Sequence, residues 1–211
     1  MIDKDAIART RIIPVVMLQD AADAVPLARA LAAGGLPLIE VTFRTAAAQE
    51  SIRRIAGEVP EAVAGAGTVI NAAQARQAVD AGAQFLVSPG FLPEVASAAS
   101  ELGVPLYPGV ATGTEIMQAL AAGLTTLKLF PAETVGGVKA VKALSAPFPQ
   151  VQFIPTGGVS LSNLADYLSQ PAILAVGGTW MVGKELIAAK DWAKITELAS
   201  AAVAKAKEVR P

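Results

Sequence analysis

The chain has 211 residues, 53% of them apolar and 17% charged, enough core material for one domain spanning residues 1–211. A formal net charge of −1 leaves no electrostatic footprint for nucleic acid or an anionic membrane, and no apolar run approaches the roughly 18 residues of a membrane span. Cysteine and histidine are both absent. That removes disulfides, thiolate nucleophiles, histidine catalysis and the commonest zinc ligand. Acid–base chemistry is left to Glu, Asp, Lys or Tyr, and a metal site would need carboxylates alone.

The first ten residues, MIDKDAIART, carry acids and lack the apolar stretch of a secretion signal. With no cysteine in the chain, a soluble cytoplasmic protein is expected. A short N-terminal helix is expected there, followed by one kind of unit repeated along the chain. Apolar strand-like runs fall at 11–16 (RIIPVV), 37–44 (PLIEVTFR), 62–69 (AVAGAGTV) and 84–90 (QFLVSPG). Four more follow at 105–110 (PLYPGV), 125–130 (TTLKLF), 151–158 (VQFIPTGG) and 173–179 (ILAVGGT). Between them lie helical patterns rich in Ala, Leu, Glu, Gln and Arg. Gly34, Gly57, Gly82, Gly103 and Gly123 recur where helix C-caps belong.

Eight strands alternating with helices imply βαβ units and a parallel sheet. Their continuous apolar character fits strands buried on both faces. Eight such units close into an α/β fold of the (β/α)8, or TIM-barrel, kind, near the lower size limit of that fold. A doubly wound open sheet is the alternative. It is disfavoured because PVVMLQDAAD, not a G-x-G-x-x-G turn, follows the first strand.

Barrels place chemistry at the C-terminal ends of their strands, and residues two apart share a face. In the second run Glu40, Thr42 and Arg44 therefore point inward, away from the covering helices. In the sixth, Lys128 shares its face with Thr126 and Phe130. Lys128 is the only lysine between Lys4 and Lys139, and it stands in an apolar strand where charge is costly. A structural ion pair with Glu40 is one explanation, although such pairs seldom stabilise better than apolar replacements. A desolvated lysine that forms a Schiff base is the explanation favoured here. The last two strands end in paired glycines, TGGV (156–159) and VGGT (176–179), where barrels bind phosphate through backbone N–H groups. Ordinary strand-to-helix turns would also use glycine. Two such pairs beside the hydroxyls of Thr156 and Thr179 favour phosphate.

The stretch GLPLIEVTFR (35–44) resembles the glutamate signature of the 2-keto-3-deoxy-6-phosphogluconate (KDPG) aldolase family. GLTTLKLFPAETVG (123–136) resembles its Schiff-base lysine signature, and between and after these two GAGTV, SPGF, PTGGV and VGGTW fall in family order. The resemblance covers nearly the whole chain. It implies a class I aldolase, usually trimeric, that acts late in the Entner–Doudoroff route and yields pyruvate and glyceraldehyde 3-phosphate without metal or cofactor. On that pattern Lys128 forms the imine and Glu40 transfers protons. Arg44 and Thr68 hold the substrate carboxylate, while Pro89 and Phe130 shape the pocket. Thr156, Gly157, Gly158, Gly177, Gly178 and Thr179 surround the phosphate end. Family members often carry serine where Thr179 stands. The partner implied is a small phosphorylated keto acid, not nucleic acid or membrane. Close alternatives are the 6-phosphogalactonate and 4-hydroxy-2-oxoglutarate activities of the same family. A phosphosugar isomerase or epimerase on a similar barrel, and a non-catalytic phosphosugar-binding protein, are the more distant ones.

Overall fold

The computed structural model describes residues 4–210. Helix α1 (Lys4–Thr10) leads into β1 (Ile12–Val16), after which α2 (Ala24–Ala33), β2 (Leu38–Thr42), α3 (Ala48–Glu58) and β3 (Val63–Gly67) follow. The alternation continues through α4 (Ala72–Asp80), β4 (Leu86–Ser88), α5 (Pro93–Glu101), β5 (Leu106–Val110), α6 (Gly113–Ala121) and β6 (Thr126–Leu129). Then come α7 (Gly137–Ser145), β7 (Gln152–Phe153), α8 (Leu164–Leu168), β8 (Val176–Gly178), α9 (Lys184–Ala188) and α10 (Trp192–Val209). Every strand pair is parallel, in the order β7-β6-β5-β4-β3-β2-β1-β8. The ring closes where the chain after β7 meets β8. Phe153 and Thr156 bridge to Ile173 and Gly177, and the Gly177 N–H donates to the Pro155 carbonyl at 2.9 Å. The eight-unit barrel with a short N-terminal helix is therefore the fold.

Alternation along each strand sorts two cores. Outward residues such as Ile39, Val41, Leu127 and Leu129 join the cluster beneath the helices. Inward residues Ile13, Leu38, Phe85, Val87, Tyr107, Ile154 and Leu174 fill the barrel, and Ile7 of α1 packs onto this inner cluster. Gly65 makes room for the largest inner ring, since a Cβ there would lie 2.3 Å from Phe85. The Phe85 and Tyr107 rings then tilt against one another at 6.1 Å. Each fully buried aliphatic side chain in these layers contributes about 1.5–3 kcal/mol relative to exposure. No helix among the described residues is long and apolar enough to cross a membrane.

Local signals set the helix starts. Thr112 and Glu115 form a capping box on α6, Asn71 caps α4, and Pro93 opens α5. The helix ends follow the glycine expectation in part. Gly82, Gly103 and Gly123 take left-handed φ just past α4, α5 and α6. Gly34 caps α2 but leaves the left-handed conformation to Gly35. Gly57 is no cap. It lies inside the last turn of α3, which Val59 ends. The strand expected over 37–44 is also shorter, because the chain turns after Thr42 and the Arg44 N–H donates to the Thr42 carbonyl at 2.8 Å.

Candidate active site

Strands β2 and β6 bring two charged side chains together inside the barrel. Lys128 Nζ lies 3.3 Å from Glu40 Oε1, with the two side chains only 5% and 4% exposed. Taking two charges out of water is costly, so neighbours must compensate. The Phe130 ring does so in part, with its centroid 5.0 Å from Nζ, where its negative face attracts an ammonium. Space is made by glycine. Glu40 and Thr42 pair with Gly65 and Gly67 across β3, and a Cβ on Gly67 would fall 2.2 Å from Glu40 Oε1. Lys128 pairs with Gly109 of β5, whose missing Cβ lets the Pro89 carbonyl come close. Any side chain at Gly67 would push the carboxylate aside.

Above this pair the barrel opens. Thr42 is buried and donates through Oγ1 to the Val16 carbonyl at 3.0 Å. Arg44, exposed beyond the end of β2, donates from Nε to Thr68 Oγ1 at 3.1 Å. Thr68 adopts a left-handed φ of 59°, a conformation that costs a β-branched residue about 1–3 kcal/mol and gathers at functional sites. A cavity of about 290 Å³ at this rim is lined by Thr42, Arg44, Thr179, Gly183 and Lys184. It holds two cations and no acid. Pro89 follows β4 and is exposed, in the loop where Ser88 donates to the Gly90 carbonyl.

The two glycine pairs differ. Gly157 and Gly158 have φ of 98° and 85° and form a tight turn after Thr156, conformations that only glycine adopts without strain. Among the described residues their N–H groups have no protein acceptor. Gly177 and Gly178 instead belong to β8, paired with Ile13 and Pro14 of β1. Packing demands glycine there. A Cβ on Gly177 would lie 2.3 Å from Thr156 Oγ1, and one on Gly178 would lie 1.8 Å from the Trp180 ring. Thr156 is thus buried against the β8 backbone, while Thr179 is exposed at the rim.

Sequence patterning missed several residues around these groups. Gly67 and Gly109 act by what they lack, and Lys184 reads as one more surface lysine. Tyr167 reads as an apolar position of a helix, yet its hydroxyl donates to Glu133, five positions beyond Lys128. Burial, and then that carboxylate, hold the Tyr167 phenol well above its ordinary range.

The chain matches the family model "Aldolase: KDPG and KHG aldolase" over residues 3–198. It is 50% identical over 194 residues to the 2-dehydro-3-deoxy-phosphogluconate aldolase of Treponema pallidum, covering 92% of each chain. Its structure superposes with a TM-score of 0.89 and 45% identity on the 2-keto-3-deoxy-6-phosphogluconate aldolase of Zymomonas mobilis with 3-phosphoglycerate, covering 96% and 95% of the two chains. A KDPG aldolase from Legionella pneumophila, with pyruvate captured as a covalent carbinolamine, matches at a TM-score of 0.91 and 41% identity over 95% and 98%. With one fold and about half of its residues shared along nearly their whole length, the chain belongs to the KDPG and KHG aldolase family.

Proposed function

We propose that the chain is a class I aldolase that cleaves KDPG to pyruvate and D-glyceraldehyde 3-phosphate through an imine on Lys128. The observation that carries this reading is the buried Lys128–Glu40 pair inside the barrel that the apolar inner cluster also fills, with Thr42 of the Glu40 strand lining a cationic cavity at the rim. In the proposed cycle the lysine amine adds to the C2 ketone and water leaves, giving a protonated imine. That imine accepts the electron pair of the C3–C4 bond as it breaks, while Glu40, directly or through water, takes the proton of the C4 hydroxyl. The aldehyde departs. The remaining enamine gains a proton at C3, and water hydrolyses the pyruvyl imine to free the lysine. Holding a carbonyl near a desolvated amine supplies the proximity such addition needs.

In this reading Arg44 and Thr68 take the substrate carboxylate, while Pro89 and Phe130 bound the pocket around the imine. The phosphate is enclosed by Thr156, Gly157, Gly158, Gly177, Gly178 and Thr179, the last of which lines the same rim cavity as Arg44. The free N–H groups of the Gly157–Gly158 turn support it, as turns of this kind make anion-binding concavities. The pyruvate adduct of the Legionella relative supports the same covalent chemistry here. Because the family description names KHG beside KDPG, 4-hydroxy-2-oxoglutarate is proposed as the second substrate. Parallel assays on KDPG, its C4 epimer and this shorter acid rank the three.

Three broader features belong to the same proposal. The whole chain acts as one catalytic unit, works in the cytoplasm, and assembles as a homotrimer, as the family resemblance implies. Ile70 and Leu92, half exposed in the loops after the neighbouring strands β3 and β4, supply apolar surface for assembly. Light scattering gives the mass directly, and a monomer at assay concentration would remove the trimer from the proposal. The central test is chemical. Borohydride added with pyruvate is expected to leave a reduced pyruvyl group on Lys128, read by peptide mass. A modified peptide holding any other lysine, with Lys128 untouched, would overturn the mechanism.

A further inference from the structure

The Gly157–Gly158 turn is held from behind at each of its carbonyls. The Thr156 carbonyl accepts the Ala132 N–H at 2.8 Å, and the Gly157 carbonyl accepts the Glu133 N–H at 3.0 Å. The Gly158 carbonyl accepts Asn163 Nδ2 at 3.1 Å, and Asn163 is itself fixed by the Ser160 N–H at 2.8 Å. In a trans peptide the N–H points opposite to the carbonyl of the same plane. Tying three successive carbonyls back therefore aims the N–H groups of Gly157, Gly158 and Val159 the other way. Among the described residues none of the three has a protein acceptor. Two of the three ties come from the segment that continues β6 past Phe130, so the strand bearing Lys128 also carries the support of the turn.

Glu133 is the centre of that support. Its backbone holds Gly157, while its side chain runs so close to Gly158 that a Cβ there would lie 2.4 Å from Glu133 Cγ. Its carboxylate accepts the hydroxyl of Tyr167, a fully buried side chain of α8, the helix that follows the turn. A phenol donating to a carboxylate is a charge-assisted bond and is stronger than a neutral one. The phenol, ordinarily protonated at neutral pH, is held further from ionisation by burial and then by that carboxylate. The chain is thus clamped before and after the turn by one side-chain bond between residues 34 positions apart.

We infer that Tyr167 and Glu133 are positioning residues that fix the Gly157–Gly158–Val159 N–H groups in register with Lys128 and so determine how strongly the phosphate of the substrate contributes to turnover. Neither residue touches substrate. The inference rests on the reading of this turn as the phosphate site. Phosphate binding far from the scissile bond is used to orient the reacting carbons, so a loosened turn costs most with the phosphorylated substrate.

The test compares the full-length protein with its Tyr167→Phe, Glu133→Ala and Glu133→Gln variants on KDPG and on unphosphorylated 2-keto-3-deoxygluconate. For Tyr167→Phe and Glu133→Ala, kcat/KM on KDPG is expected to fall about tenfold, chiefly through KM. Activity on the unphosphorylated acid and borohydride trapping of pyruvate should stay unchanged. Glu133→Gln keeps an acceptor for the phenol and is expected to recover most of the loss, which a general weakening of the fold would not allow. Equal losses on both substrates, or an unchanged preference for phosphate in Tyr167→Phe, would overturn the clamp while leaving the phosphate site standing. A wild-type protein indifferent to the phosphate would overturn the site and the clamp together. A Tyr167→Phe variant that does not fold leaves the Glu133→Ala and Glu133→Gln pair to decide.

Discussion

The two ends of the candidate site are built by opposite means. At one end Lys128 and Glu40, 88 positions apart in sequence, meet as side chains on two strands and are nearly sealed from water. At the other, a contiguous turn with Gly158 exposed presents backbone N–H groups that have no protein acceptor among the described residues. Each suits its task. A lysine nucleophile needs desolvation and a fixed neighbour that exchanges protons, which only rigid strands converging from distant sequence supply. A phosphate dianion needs several donors and no burial, which a glycine turn provides locally. A lesion at the first end should therefore abolish chemistry, and one at the second should weaken the use of a remote group.

The largest effect expected is at Lys128. Lys128→Arg keeps the positive charge opposite Glu40, but a guanidinium is not a usable nucleophile at neutral pH. Cleavage should become undetectable and the borohydride adduct should vanish. Residual turnover above a few per cent would detach the chemistry from this strand.

Glu40→Gln comes next. The amide keeps the shape and a hydrogen-bonding oxygen, so the lysine is not left wholly unpaired, but the proton acceptor is gone. A loss of about 10²–10⁴-fold in turnover is expected, with slower exchange of pyruvate methyl protons in deuterated water. Unchanged exchange would pass the base role to another group.

What the sequence disclosed follows the same division. Lys128 and Glu40 stood out because charge inside an apolar strand demands a reason, and strand alternation alone put both inside the barrel. The eight-unit fold was equally plain from the recurrence of strand, helix and glycine. The supporting parts were not. Gly67 and Gly109 matter through the space beside Glu40 and Pro89, which no local pattern encodes. TGGV and VGGT look alike as strings, yet one is a left-handed turn and the other a strand packed against Thr156 and Trp180. Only tertiary neighbours separate them. Arg44 continued an alternating pattern that the chain abandons at Thr42, because the bend toward Thr68 is fixed by a contact 24 residues away.

Thr179 tests the open end. Valine keeps the shape of threonine and removes the hydroxyl. A hydrogen bond to a charged group is usually worth about 1.5–3 kcal/mol, so Thr179→Val should lower kcat/KM about 10- to 150-fold on phosphorylated substrate only. Thr179→Ser should be nearly silent. If the unphosphorylated acid suffers as much, Thr179 supports the rim of the barrel, and the contrast between the two ends weakens.

The smallest effect is one of stability and arises from Tyr167 beneath the turn. Burial and the Glu133 carboxylate both favour the neutral phenol, so the folded-state value lies above the unfolded value of 10.0. The unfolded chain therefore releases this proton first as the pH rises. Whatever stability the neutral phenol contributes is fully present below about pH 10 and is lost progressively above it, toward the higher folded-state value. Melting temperatures compared between pH 8 and pH 11 should fall a few degrees further in wild type than in Tyr167→Phe, which has no proton to lose there. All other side chains are the same in both proteins, so the difference isolates the phenol. Parallel melting curves for the two proteins would mean that the phenol is not held by this carboxylate, and the support of the open end would have to be sought elsewhere.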